Sequence, residues 1–277
     1  MNLKKILNTL VISGILFSSI SCGDSKQNDI LESDEVKSVE SLNSKKTSAQ
    51  NVFNSLPERS EIVGLTEKAK AEYNAQILNN PENIGNYVIE SSMALNLGVY
   101  GADLYVTGVF EQTQESFLFL KAVNILAKNL GVSNAFDEAI VDRMEANKEI
   151  RDSTMSIITQ SFKKIDKYLA ENGRPGASSL VVTGSWIESI YIACNIAKET
   201  KSEPIVKEIF IQKESLKYVI ELLQNSKIAE DAKFIISDLI NLKIVFDSKK
   251  DEIYTLESIK EIEKKVTILR SKIVNNK

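Results

Sequence analysis

The chain contains no histidine. That excludes a Ser-His-Asp triad, a Cys-His pair and every zinc or iron site that needs an imidazole ligand. It also removes the usual general base near neutral pH. Proline and glycine are scarce, 4 and 11 among 277 residues, which favours long helices over many turns. No stretch sustains the alternation of a strand. Nor is there a basic surplus: 34 basic residues face 38 acidic ones, for a net charge of -4. A mildly acidic chain has no electrostatic footprint for nucleic acid. The short runs Lys249-Lys250 and Lys264-Lys265 read as solvated helix faces.

The first residues have the layout of a secretory signal. Lys4 and Lys5 form a positive start, Ile6 to Phe17 an apolar run diluted by Asn8, Thr9 and Ser13, and small residues follow. The run is too short for a hydrocarbon core, which needs about 20 apolar residues. Ser19-Ile20-Ser21-Cys22-Gly23 resembles a lipobox, with Ser19 where leucine is usual. The expectation is a signal peptide over residues 1–21, lipidation of Cys22, and a membrane held through that lipid. Two or three acyl chains anchor stably where one binds marginally. Removing Lys4 and Lys5 leaves 32 basic against 38 acidic residues, a mature charge of -6.

From 22 to 55 the chain is polar and cannot bury enough apolar surface to offset its ordering entropy. It reads as a tether, followed by a helical domain over 56–277. Within that domain Cys194 lies in an apolar run without a cationic neighbour, which predicts a buried, unreactive thiol.

Periodicity makes the domain all-α, a multi-helix bundle of about seven or eight helices. A first helix is expected from Thr66 through Ile77, and a second from Pro81 carrying Ile84, Val88, Met93 and Leu97. Gly98 and Gly101 are expected to interrupt or kink it. A third is expected from about Ala102 to Lys128, with Gly131 as its C-cap. Ser133 is expected to cap a long helix through Phe136, Ile140, Met144 and Met155 to Leu169, with a polar middle that is exposed or bent. Asn172-Gly173-Arg174-Pro175-Gly176 breaks the chain. A helix over about Ser178 to Lys198 follows, and Pro204 opens another. The last two apolar seams are Ile228, Ala232, Ile235, Leu239, Leu242, Phe246 and Ile259, Ile262, Val266, Leu269, Ile273. Each is too short to argue a free coiled coil, so they are expected to pack within the bundle.

Val106-Thr107-Gly108-Val109-Phe110-Glu111 has an echo in Val182-Thr183-Gly184-Ser185-Trp186 with Glu188. Unless it is chance, it marks an internal duplication of helical hairpins about a pseudo-twofold. Glycine inside a helix costs about 1 kcal/mol and is commonly kept for close approach. Gly108 and Gly184 are therefore expected to let two equivalent helices cross, with Phe110 and Trp186 beside the crossing or acting as a ligand platform.

The runs Leu95-Asn96-Leu97-Gly98-Val99-Tyr100-Gly101-Ala102-Asp103-Leu104 and Gly184-Ser185-Trp186-Ile187-Glu188-Ser189-Ile190-Tyr191 resemble a group of uncharacterised helical lipoproteins from Bacteroidota. Looser lipoboxes occur in those bacteria, and a composition rich in lysine, asparagine and isoleucine suits an AT-rich genome. The resemblance implies location and fold, and brings no activity, cofactor or catalytic residue.

Two functions fit these residues. One is a non-enzymatic envelope protein, lipid-anchored on the periplasmic face of a membrane rather than at the cell surface. It would bind an envelope protein or small ligand, without metal or cofactor. Its candidate site gathers Tyr100, Asp103, Tyr105, Glu111, Gln114, Trp186, Glu188 and Tyr191. Asp103, Thr107, Glu111 and Gln114 share one helical face, which must either meet solvent or be satisfied inside the bundle. The alternative is a carboxylate-based hydrolase in which the duplicated fold brings Glu111 and Glu188 together.

Overall fold

Two helices carry apolar residues around most of their circumference, α1 (Glu90–Val109) and α5 (Pro175–Thr200), and they form the centre of the molecule. The computed structural model describes residues 65–133, 139–248 and 255–276, all within the unit Ser41–Lys277. The signal peptide, Cys22, the tether and the domain start at 56 lie outside the described residues.

The remaining helices surround this pair. They are α2 (Thr113–Asn129), α3 (Ala139–Ala146), α4 (Arg151–Glu171), α6 (Glu203–Ile211), α7 (Lys213–Gln224), α8 (Phe234–Ser248) and α9 (Leu256–Val274). With a single turn at 65–68 the described residues hold ten helices and no strand, slightly more helices than periodicity suggested. α2 packs on α1; α4 and α9 pack on both central helices; α6 and α7 pack on α5; α8 bridges α7 and α9.

α5 is apolar enough to cross a membrane by length and composition, but most of it is buried by these neighbours, as a core helix should be. Local chemistry sets the boundaries. Pro175 and Pro204 occupy first turns. Gly131 and Gly173 take left-handed φ values of 74° and 72° just beyond α2 and α4. Thr255 and Ser258 form a reciprocal capping box on α9.

α1 and α5 cross at glycine. A Cβ on Gly184 would stand 2.0 Å from the Leu95 carbonyl oxygen, and one on Gly98 would stand 2.0 Å from the Val181 carbonyl oxygen. The crossing therefore uses Gly184 as expected, but its partner is Gly98. Gly108 lies 13 residues beyond Leu95, about 20 Å along the helix. It faces Met155 of α4 at an ordinary 3.4 Å. The expected symmetric crossing of the repeated glycines is thereby corrected, because the echo sits at the end of α1 but in the middle of α5.

Other expectations also change. Residues 71–74 are not helical; a 3-10 turn at Ala75–Ile77 follows, its first turn held by the Asn74 side chain accepting from Gln76 N–H. Pro81–Asn86 is a second 3-10 turn capped by Asn80, and α1 starts only at Glu90. Asparagine competes here with the helical hydrogen-bond ladder. Val88 is exposed rather than part of a stripe. α1 runs through Gly98 and Gly101 without interruption, and ends instead at Val109, where Glu111 adopts a left-handed φ of 56°. The long helix from Ser133 is two helices, α3 and α4, separated at the polar residues 147–149 and Ile150, while Phe136 lies outside the described residues. Ile228 and Ala232 precede α8, with Ala232 in a 3-10 turn, whereas the α9 seam is buried throughout.

Candidate functional site

α5 presents two chemically different sides. At 3.6 residues per turn, Gly184, Glu188 and Tyr191 lie opposite Trp186, Ser189 and Ala193. The first side meets α1 and α9 in a sealed ion cluster. The second forms one wall of a cleft.

In the cluster, Arg270 of α9 grips Glu188 with two bonds, Nε to Oε2 at 2.7 Å and Nη2 to Oε1 at 2.8 Å. Arg270 Nη2 also donates to the Ile77 carbonyl at 3.1 Å, and its guanidinium lies 4.3 Å from the centre of the Tyr191 ring. A planar, forked cation suits this combination of bidentate pairing and stacking. Glu188 and Asp103 are fully buried. Asp103 Oδ2 accepts from Asn79 N–H at 3.1 Å, whereas Oδ1 receives no donor among the described residues.

Burial pushes Asp103 well above the ordinary carboxylate range, and the neighbouring Glu188 carboxylate pushes it further. Burial also raises Glu188, against the opposing pull of Arg270. Arg270 bonds Glu188 directly and so holds its charged form, which leaves Asp103 the acid of the two more strongly biased toward its protonated form. Tyr100 donates to the Asn80 carbonyl, Asn79 Nδ2 to Tyr87, and Tyr87 to the Val274 carbonyl at 2.9 Å. This arrangement ties the loop at 77–80 and the end of α9 to the central pair.

Of the sequence-derived candidates, Tyr100, Asp103, Glu188 and Tyr191 thus come together around Arg270. Tyr105 and Trp186 lie on the cleft instead. Glu111 is exposed at the end of α1, 3.7 Å from Arg151, and Gln114 is exposed on α2. The shared helical face fails because α1 ends before Glu111. Asp103 and Thr107 are buried inside the bundle, Thr107 bonding to the Leu104 carbonyl and to Ser116, Asp103 through Oδ2 to Asn79 N–H. Glu111 lies eight residues beyond Asp103, about 12 Å along the chain direction. The structure therefore does not pair Glu111 with Glu188; Asp103 is the acid beside Glu188.

The cleft has a volume of about 520 Å³ and is bounded by α1, α4, α5, α6 and the turn at 65–68. Ile190, Ala193 and Ile196 of α5 and Ile205 and Ile209 of α6 supply an aliphatic wall. Ser156, Thr159, Gln160 and Lys163 of α4 form a polar wall at spacings of three, one and three, one face of that helix. Trp186 forms part of the floor. Its Nε1 donates to Ser215 Oγ at 3.0 Å, Ser215 lies 2.7 Å from Gln212 Oε1, and Gln212 Nε2 donates to Glu208 at 2.9 Å. Trp186 is consequently both a core residue, 2% exposed, and a surface of the cleft.

Cys194 faces neither site; burial pushes its thiol up to about 12. Among the described residues no group of histidine, cysteine, aspartate and glutamate side chains is placed to hold a metal.

Sequence reasoning missed Arg270. One signal was available: it is one of only five arginines in a lysine-rich chain, and it falls beside the apolar seam of α9. Comparison with known protein families, characterised proteins and solved structures finds no match.

Proposed function

We propose that this chain is a lipid-anchored protein of the bacterial envelope, acylated at Cys22 on the periplasmic face, whose helical domain is a non-enzymatic binding module. The cleft beside Trp186 carries the binding part of this reading. Its volume of about 520 Å³ and mainly apolar lining match small-molecule sites, which span roughly 300–1,000 Å³ with a few placed polar groups. The acids that sequence order suggested for hydrolysis support binding rather than chemistry. Glu188 is neutralised by Arg270 within the core, and Glu111 is exposed elsewhere. Neither belongs to the cleft.

Fractionation tests the anchor. Wild type should partition with membranes and carry an acyl mass, and Cys22→Ser should release it; an unmodified wild-type chain overturns the anchor. Binding is tested separately with the apolar dye anilinonaphthalene sulfonate. Saturable single-site binding should be lost on Ser189→Trp, because Ser189 is exposed at the cleft and tryptophan there fills it. Dye binding unaffected by Ser189→Trp overturns the cleft as the site.

A further inference from the structure

The cleft has a length and a charge pattern that together specify its ligand; this inference rests on the cleft being the binding site. Its lining on α5 runs from Ser185 to Ile196, about 16 Å of helix, whereas a sphere of the same volume, about 520 Å³, would be only about 10 Å across. The cleft is therefore a trough. Apolar side chains line it on every helix: Val106 and Val109 of α1, Ile158 and Phe162 of α4, and Ile205 and Ile209 of α6 join the isoleucines of α5. Phe162 packs so closely on Gly101 that a Cβ there would meet its ring.

Polar groups interleaved with these residues bond to one another or to their own helices. Thr159 Oγ1 donates to the Met155 carbonyl at 2.9 Å, Gln160 Nε2 to Ser156 Oγ at 3.1 Å, and Ser189 Oγ to the Ser185 carbonyl at 2.8 Å. The Gln212 amide answers Glu208, and Ser215 accepts from Trp186. Among the described residues the buried side-chain atoms that lack a partner are Asn96 Oδ1 and Asp103 Oδ1, and neither lines the cleft. Lys163 is exposed to solvent. A head group drawn inside would give up its hydration and find no buried partner waiting for it. The part of a ligand that enters is therefore uncharged and apolar, and long rather than compact. We propose that the cleft takes the hydrocarbon chain of a single-chain lipid, laid along α5 between Ser185 and Ile196, while the head group stays in water outside.

The probes are straight-chain alcohols, titrated by calorimetry into the mature full-length chain carrying Cys22→Ser. From hexanol through octanol to decanol, affinity should rise about fourfold per added methylene, the factor set by burying one methylene in apolar surroundings. Decanol, decanoate and decyltrimethylammonium should bind within about tenfold of one another, because the head remains solvated. Adamantanol carries as many carbons as decanol in a compact cage, and should bind at least about tenfold more weakly. Ser189→Trp should abolish decanol binding while circular dichroism remains that of the parent. Ala193→Trp supplies a second blocking variant if the first is misfolded. Four results would each overturn the ligand class: affinity that ignores chain length, a larger preference for one head charge, adamantanol binding as tightly as decanol, or decanol binding that survives both blocking variants. Dye binding that Ser189→Trp abolishes would then still mark the cleft as a site for a different ligand. If neither the alcohols nor the dye binds, the binding reading falls as well.

Discussion

Arg270 and Glu188 meet through two parallel hydrogen bonds, at 2.7 and 2.8 Å, across 82 residues of sequence. Glu188 is wholly buried and the Arg270 side chain is 13% exposed, so neither charge has water to fall back on if the other is removed. A buried pair of this kind is weak evidence of net stabilisation, yet breaking it by removing one partner typically costs about 3–5 kcal/mol. Arg270→Met and Glu188→Met should each lower the melting temperature steeply. The double variant should be more stable than the sum of the single losses predicts, because it buries no orphan charge. Calorimetry of the four proteins measures this. Additive losses would show that the pair contributes only packing.

Asp103 makes stability depend on pH. Its native pKa is raised, first by burial and then by Glu188, while in the unfolded chain it titrates near about 3.9. Between those values the folded protein binds more protons than the unfolded one, so unfolding free energy falls as pH rises. The contribution is complete below about pH 4 and is lost as pH climbs through the native titration of the pair. Glu188 shifts in the same direction and adds to the slope. Asp103→Asn keeps the size of the side chain and removes the titration. Guanidinium unfolding from about pH 4.5 to 8 should therefore show wild type losing stability relative to Asp103→Asn. Parallel profiles would mean that Asp103 is ionised in the native state.

The crossing of α1 and α5 makes glycine replacements differ in sign. Gly98→Ala and Gly184→Ala place a methyl 2.0 Å from a backbone carbonyl oxygen, which cannot swing aside as a side chain does. Each should cost at least the roughly 1–3 kcal/mol of an overpacked core. Gly108→Ala meets only the Met155 side chain at 3.4 Å, and should stabilise by up to about 1 kcal/mol through helix propensity. Thermal melts of the three variants decide the matter. Destabilisation by Gly108→Ala and Gly184→Ala with none by Gly98→Ala would return the crossing to the repeated glycines.

What was legible in the sequence was whatever a helix states locally. The α9 seam, Pro175 and Pro204 in their first turns, the Gly131 turn and the buried Cys194 all follow from spacing and side-chain chemistry within a few residues. Tyr100, Asp103, Glu188 and Tyr191 were recognisable as polar residues in apolar surroundings, which need partners. Their partner was not legible, because Arg270 approaches from 82 residues beyond Glu188. The breaks at 71–74 and after Val109 were missed because periodicity continues through them in register. A left-handed Lys70 and a left-handed Glu111 end these helices without a glycine or proline to announce it. The cleft was invisible for a similar reason. Its walls come from separate helices, and the α4 row Ser156, Thr159, Gln160 and Lys163 looks in sequence like an ordinary solvated face.

The contacts of α9 also bear on when the molecule can become itself. The Tyr87 hydroxyl and the Asn96 amide find their acceptors at Val274 and Ile273, 187 and 177 residues later. Arg270 comes from the same final stretch. A chain made N-terminus first cannot complete these buried contacts until residues 270–274 of α9 have been added. Loop closure over such separations comes late and slows completion. The central helices must wait with their polar groups unanswered, so a prematurely terminated copy has no finished interior and is open to proteolysis. Helix α9 thus closes the interior last in chain order, and what it closes was laid down almost two hundred residues earlier.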